Sequence, residues 1–377
     1  MGGPLTGVRV VELRGIGPLP FAGMILADFG AEVIRVDRTS ARADPAAVSE
    51  IEPLGRGRLS VALDLKTPAG REAVLRMCER SDALIEGFRP GVAERMGLGP
   101  EDCAARNPRL VYGRMTGWGQ AGPLARAAGH DINYISVAGA LSLVGRRGQA
   151  PVPPMNLVGD YGGGGMLLAL GLIAALFEAR QSGRGQVVDA AMVDGAALLS
   201  TVVHELVHDG SWTEERGSNV LDTGAAYYDA YETADGRYVS IGALEPHFYA
   251  ELVARLGLDL PRDEVDTDTQ RRTLAEVFRT RTQREWCDLL EGTDACFAPV
   301  LTPSEAVHHP HNVARGTFVE VGGVPQAAPA PRFSRTQAEV KRPGCPPGAH
   351  TRDVLYDCGF TDEEIDRLLA TGAAEQR

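Results

Sequence analysis

Two stretches set acid/base side chains at the start of apolar runs. GHDINYISVAGAL (129–141) opens on Gly129, His130 and Asp131, and NLVGDYGGGGMLLAL (156–170) carries Asp160 just ahead of four glycines. An imidazole titrates near neutral pH and moves protons readily. Yet His130 and Asp160 also sit where a polar residue caps a helix, which is the ordinary use of Asp there. The stretches alone leave both readings open. Glycines weaken a helix, so the run 162–165 implies close approach to that backbone by a ligand or a partner chain.

Other patterns suggest different chemistry. HELVH (204–208) spaces His204 and His208 one helical turn apart around Glu205, as in zinc hydrolases. The metzincin continuation is missing, since Ser211 and Glu214 stand where a glycine and a histidine would. The favoured reading is an amphipathic helix end with Val202, Val203, Leu206 and Val207 buried, and no metal is expected. HHPH (308–311) is interrupted by Pro310 and reads as a solvated turn. Gly15 and Gly17 follow one strand and Asp37 ends the next, but Pro20 takes the third glycine position of a dinucleotide fingerprint, which argues against NAD. A glycine turn before a helix still favours an anion.

The cations Arg38, Lys66, Arg89 and Arg95 fall near the ends of predicted strands. Each alone reads as surface charge. Together they would line the crevice where open α/β sheets bind ligands, and arginine forks suit phosphate. Glu245, ahead of Pro246, reads as the start of a helix.

The elements that must position these residues follow from periodicity. GVRVVEL (7–13), FAGMILADFG and AEVIRVDR (31–38) read as strand, helix and strand. RLSVALDL (58–65) is a strand, and TPAGREAVLRMCERS is a helix with Thr67 as its cap and Pro68 in its first turn. DALIEGF and RLVYGRMTG (109–117) are further strands. Such alternation implies a mostly parallel sheet covered on both faces. The apolar run MLLALGLIAALFEA is shorter than the ~20 residues of a membrane span and reads as a buried helix.

QVVDAAMVDGAALLSTVV reads as a strand turning into a helix, and 209–224 as a polar connection. AYYDAYETADGRYVSIGAL (226–244) reads as a hairpin around ADGR. Helices at 246–257 and 269–292 and a strand at CFAPVLT complete a smaller α+β domain at 226–310. PQAAPAPRFSRT is an extended strap, and TDEEIDRLLATG a closing helix with a capping box from Thr361 to Glu364.

A chain of 377 residues exceeds one ordinary core. The net charge of −12 argues against nucleic acid or an anionic membrane as partner. An acidic chain that binds a polyanion must gather its arginines at one place. Six cysteines without a CxxC pair suit reduced thiols in a cytoplasm, and the opening MGGPLTGVRVVEL lacks the layout of a signal peptide.

These motifs together resemble the α-methylacyl-CoA racemases of the class III CoA-transferase superfamily. The resemblance rests on GVRVVELRGIGPLPFAGMILADFGAEVIRVDR, FRPGVAERMGLGP, RMTGWGQAGP, GHDINYISVAGAL, PPMNLVGDYGGGG, GRGQVVDAAMVDG and ADGRYVSIGALEPHFY, spread over nearly the whole chain. It implies an α/β fold: a Rossmann-like large domain at 1–190 completed by 330–377, a connection at 191–225, the small domain at 226–310, a return linker at 311–329, and an interlocked homodimer. It implies that His130 and Asp160 are the two acid/base residues and that Glu245 orients the histidine from the partner chain. Ile16, Arg38, Leu63, Lys66, Gly87, Arg89, Arg95, Gly129, Asp131 and Tyr134 fall at CoA- and substrate-contacting positions, with Asp131 positioning its loop rather than moving the proton.

The implied substrate is an acyl-CoA, with no separate cofactor. Removing a proton α to a thioester needs a placed base and a stabilised enolate, and inversion needs a second group on the opposite face. The start of the helix after Asp160 would stabilise the enolate oxygen. The rival within the superfamily is a CoA-transferase with Asp160 as nucleophile. Those relatives carry a glycine-rich loop where this chain has GALEPHF (242–248).

Overall fold

The computed structural model describes residues 2–39 and 52–377, which divide into two compact units. The first opens with β1 (Arg9–Leu13), α1 (Pro18–Asp28), β2 (Glu32–Asp37), β3 (Leu59–Leu63), α2 (Pro68–Glu79), β4 (Ala83–Glu86), α3 (Val92–Arg95), α4 (Pro100–Arg106) and β5 (Val111–Thr116). After α5 (Asp131–Val137), wide π-type turns at Leu157–Met166 run directly into α6 (Leu167–Ser182), followed by β6 (Val187–Ala191) and α7 (Met192–Leu199).

The second unit carries α8 (Thr201–His208), β7 (Tyr228–Glu232), β8 (Tyr238–Gly242), α9 (Pro246–Leu256), α10 (Thr267–Phe278), α11 (Gln283–Leu290), β9 (Phe297–Val300), α12 (Pro303–Ala306) and α13 (Pro310–Arg315). The chain then rejoins the first unit with β10 (Phe318–Val321), β11 (Val324–Ala327), α14 (Thr351–Asp357), α15 (Asp362–Ala370) and β12 (Ala374–Glu375).

The main sheet has the order β12-β3-β2-β1-β4-β5-β6, parallel throughout except for β12 at its edge. Alternate residues of β1 enter opposite cores, as the two-residue period of a strand requires. Val11 and Leu13 pack with Val74 and Met77 of α2 and with Leu355, Ile365 and Leu368 of α14 and α15. Val10 packs with Leu19, Ala22 and Leu26 of α1 and with Leu168 and Leu172 of α6. The sheet therefore needs helices on both faces, and its strands read as near-continuous apolar runs for that reason. Thr67 caps α2 by accepting from Gly70 N–H at 3.0 Å, and Thr361 and Glu364 form the capping box of α15.

Several expectations need correction. The apolar helix does not start after Asp160. The wide turns extend it to Leu157–Ser182, long and apolar enough by composition to cross a membrane, although Leu168, Leu172, Ala175 and Leu176 pack on the sheet. The connection at 191–225 is divided, with α7 in the first unit and α8 in the second. Residues 139–153 also belong to the second unit, tied there by the 2.6 Å pair between Arg146 and Asp229 of β7 and by Arg216 Nη1, which donates to Ser142 O at 3.0 Å.

The helix expected at 269–292 is two, α10 and α11, because Thr282 exchanges hydrogen bonds with Glu285 and starts a new helix. The return linker at 311–329 holds α13 and the β10–β11 hairpin. Arg56 holds that hairpin, donating to Gln326 Oε1 at 3.1 Å and to Ala327 O at 2.8 Å. In the second unit, β7-β8-β9 form an antiparallel sheet over a core of Tyr231, Ile241, Leu274, Phe278 and Trp286.

Candidate active site

Strand order decides where ligand space opens. β1 pairs with β2 on one side and β4 on the other, so the chain reverses its direction of travel between β1 and β4, and a crevice opens at the carboxyl ends of these strands. A cavity of about 800 Å³ lies there, walled by Ile16 and Gly17 after β1, Gly87 and Arg89 after β4, Trp118 after β5, the start of α5, and the wide turns. Of the residues singled out in the sequence, Ile16, Gly17, Gly87, Arg89, Gly129, His130, Tyr134 and Asp160 line it.

His130 occupies the N-cap position of α5, but its imidazole makes no capping bond. Asn133 closes the turn instead, its Oδ1 accepting from the His130 N–H at 3.0 Å. The capping reading of the imidazole therefore does not hold, and His130 lines the cavity. Tyr134, one turn on, donates its hydroxyl to Gly129 O and meets Trp118 edge-on at 4.8 Å. A Cβ on Gly117 or Gly129 would stand 2.1 or 2.7 Å from the Tyr134 ring, so both glycines make room for it. Burial pushes the Tyr134 phenol up, and the nearby Asp160 charge adds to this, so the hydroxyl stays a donor.

Asp160 is not a helix cap. Asn156 holds that position, and Asp160 lies in the first of the wide turns, where its Oδ2 accepts from Asn156 Nδ2 at 3.0 Å. Wide turns of this kind recur at functional sites because they re-aim a side chain within a helix. Burial raises the Asp160 carboxyl above the ordinary range, and the neighbouring Asp131 charge raises it further. The Asn156 hydrogen bond and His130 pull the other way without reversing the shift.

Within the chain, three of the four glycines make room for neighbouring helices. A Cβ on Gly163 would stand 2.8 Å from Ala196 N in α7, on Gly164 3.0 Å from Pro18 in α1, and on Gly165 2.7 Å from Phe21. The wide turns are pressed between α1 and α7 of the same chain.

The remaining candidates are placed as follows. Arg38, Lys66 and Arg89 are exposed just beyond the carboxyl ends of β2, β3 and β4, and exposed Arg95 ends α3. The row of cations lies along one edge of the sheet, as the strand ends suggest. Leu63, expected at a ligand-contacting position, is fully buried in the core, backbone included, and offers a ligand no surface. Asp131 is buried behind the cavity wall, with its Oδ2 accepting from Asp160 N–H at 2.7 Å. Glu245 is the exposed N-cap residue of α9, in the second unit.

Asp37 ends β2 as a ribose-binding acid would, but it is buried and bound by Arg14, Arg35 and Ser60 at 2.7, 2.8 and 2.6 Å. His204, Glu205 and His208 lie on exposed α8, and no group of three ligating side chains occurs among the described residues. The expected burial of Val202 and Val207 is also wrong: both are exposed.

Sequence reasoning missed Asn156, and it read Gly17 only as part of an anion-favouring turn. The four-residue step from Asn156 to Asp160 was the available signal, since such pairs share a helix face. Gly17 has φ +62°, and a Cβ there would stand 2.9 Å from Asp160 Oδ2.

A family model described as CoA-transferase family III matches residues 5–351. A Mus musculus protein named alpha-methylacyl-CoA racemase is 47% identical over 371 residues, covering 97% of this chain and 96% of its own. A Homo sapiens protein of the same name is 46% identical over 373 residues with the same coverage. The crystal structure of a CAIB/BAIF family protein from Brucella suis matches with a TM-score of 0.80 at 26% identity, over 95% of this chain and 100% of that one. This chain belongs to CoA-transferase family III.

Proposed function

We propose that the protein interconverts (2R)- and (2S)-2-methylacyl-CoA thioesters by 1,1-proton transfer through an enolate. The observation that carries this reading is one cavity walled by two unlike acid/base groups, His130 and Asp160, with Asp160 held above the ordinary carboxylate range. A general base is most effective when its affinity for protons is brought toward the working pH, and burial does this for Asp160. One group takes the α-proton of one epimer and the other returns a proton to the opposite face; the roles exchange for the other epimer. Backbone N–H groups in the first turn of α5 stabilise the enolate oxygen in this scheme, because the helix start once assigned to that task does not follow Asp160. The names of the mouse and human relatives support the same substrate class.

In this reading Arg38, Lys66, Arg89 and Arg95 take the phosphates of CoA, and Glu245 of a second copy orients His130. An interlocked homodimer is supported by the exposed apolar side chains of Leu170 and Phe177 on α6 and Val202 and Val207 on α8. Six free thiols suit a cytoplasmic location.

The test is incubation of a (2R)-2-methylacyl-CoA with the protein in D₂O. Uptake of α-deuterium with formation of the 2S epimer is expected. No exchange, with CoA passing to an added carboxylic acid, would identify a CoA-transferase that uses Asp160 as nucleophile and refute the proposal.

A further inference from the structure

We infer that Asp131 is a positioning residue that fixes Asp160 relative to His130. Asp131 follows His130 directly in the chain and its carboxylate accepts the N–H of Asp160, 29 residues on, at 2.7 Å, so one side chain links the two acid/base positions. The packing around it is tight: a Cβ on Gly159 would stand 2.5 Å from Asp131 Oδ2, so the residue before Asp160 must be glycine for the carboxylate to reach. Asp131 is only 7% exposed, and its Oδ1 has no hydrogen-bond partner. A buried carboxylate with an unsatisfied oxygen is costly. Its place in the first turn of α5 offsets part of that cost through the helix dipole. What Asp131 supplies is an acceptor for a backbone N–H inside a helix of wide turns and a negative charge directly behind Asp160.

The charge has a consequence for the same proton transfer. Charged groups on elements packed against the Asp160 turn are Asp28 on α1, Asp131 on α5 with His130 just before it, Glu178 and Arg180 on α6, Asp194 on α7, and Arg114 and Asp189 on β5 and β6. Arg114 is taken up by Glu86 and Glu94, and Asp189 accepts from Gln120 N–H. Tyr134 and Arg89 also face the cavity. Asp131 therefore acts on Asp160 twice, through the peptide that it anchors and through its field, which favours the protonated form of Asp160.

This inference rests on Asp160 being an acid/base residue, but its test does not. Asp131→Asn keeps an oxygen for the Asp160 N–H and removes the charge; Asp131→Ala removes both. ¹³C-aspartate-labelled protein is titrated without substrate, with the Asp160 signal assigned by its loss in Asp160→Asn. The Asp160 midpoint is expected to fall in Asp131→Asn. In turnover, Asp131→Ala is expected to lose about 10²-fold in kcat for both epimers with KM within about twofold, as misplacement of a reacting group does. Asp131→Asn should recover most of this, with the acid limb of its pH profile moved down. An unchanged midpoint in Asp131→Asn, or Asp131→Ala with the kcat of the parent, would overturn the inference. A moved midpoint in a protein that does not racemise would leave the positioning role standing and refute the proposed reaction instead.

Discussion

Replacing Gly17 by alanine tests whether the turn after β1 sets the space for the Asp160 carboxylate. Gly17 has φ +62° and ψ −115°, a conformation that L residues occupy at a cost of about 1–3 kcal/mol. Its new methyl group would stand 2.9 Å from Asp160 Oδ2, about 0.5 Å inside the 3.4 Å at which ordinary contact begins. The carboxylate is the part that must yield, because the turn is fixed between β1 and α1. Misplacement by about 1 Å costs about 10²-fold, so a shift of this size implies on the order of a tenfold loss of kcat. In the proposed mechanism each epimer uses both acid/base groups in turn, so both directions should lose equally. The assay is α-deuterium exchange from each epimer, read beside urea unfolding. Gly7→Ala is the control: φ is +87° with no atom within 4 Å of the new Cβ, so it carries backbone strain alone. If Gly17→Ala lost stability as Gly7→Ala does but kept full kcat, the claim that Gly17 makes room for Asp160 would be refuted.

Four other outcomes follow from the same geometry. A carboxyl raised on folding, as Asp160 is mainly by burial and then by Asp131, contributes stability that is full below its unfolded-state value and lost as pH rises through its folded value. Asp160→Asn should therefore abolish turnover yet raise the urea midpoint at neutral pH, with the gain vanishing below the ordinary carboxylate range. Arg38→Ala should raise KM for the CoA ester by about tenfold, the worth of one charge-assisted hydrogen bond, with kcat little changed; equal KM values would remove exposed Arg38 from the binding edge. Gly195→Ala would set a Cβ 1.9 Å from Gly163 O and should cost about 1–3 kcal/mol or more by overpacking, read from urea unfolding. If Glu245 acts across subunits, mixing inactive His130→Ala and Glu245→Ala chains under exchange conditions should restore activity, because one site of each mixed dimer then carries both native residues. No recovery in confirmed mixed dimers would place Glu245 and His130 in one chain.

The alternation of strands and helices was legible because both periods are local: the apolar runs of β1 to β5 and the caps at Thr67 and Thr361 stand where the pattern sets them. The edge carrying Arg38, Lys66 and Arg89 was legible for a related reason, since the end of a strand fixes which side of a parallel sheet its next residues face. What stayed hidden depends on partners distant in sequence. Asp37 carried the mark of a ribose ligand, and only the fold shows Arg14, Arg35 and Ser60 occupying it. The glycine run signalled close approach, but the approaching groups are Pro18, Phe21 and Ala196 of the same chain.

His130 and Asp160 look alike in sequence, each a polar residue after glycine and ahead of an apolar run, yet they are built in opposite ways. His130 stands outside its helix, and Asn133 closes the turn so that the imidazole stays available. Asp160 stands inside a helix, where the carboxylate reaches the cavity because the turns are wide and Asp131 holds the backbone from behind. In the proposed mechanism the imidazole needs an orienting partner, whereas a carboxylate acting as a base needs burial and a nearby negative charge, and both cost stability. The wide turns, the glycines and the buried Asp131 are the form in which this chain bears that cost, which is why the unusual features gather around Asp160 rather than His130.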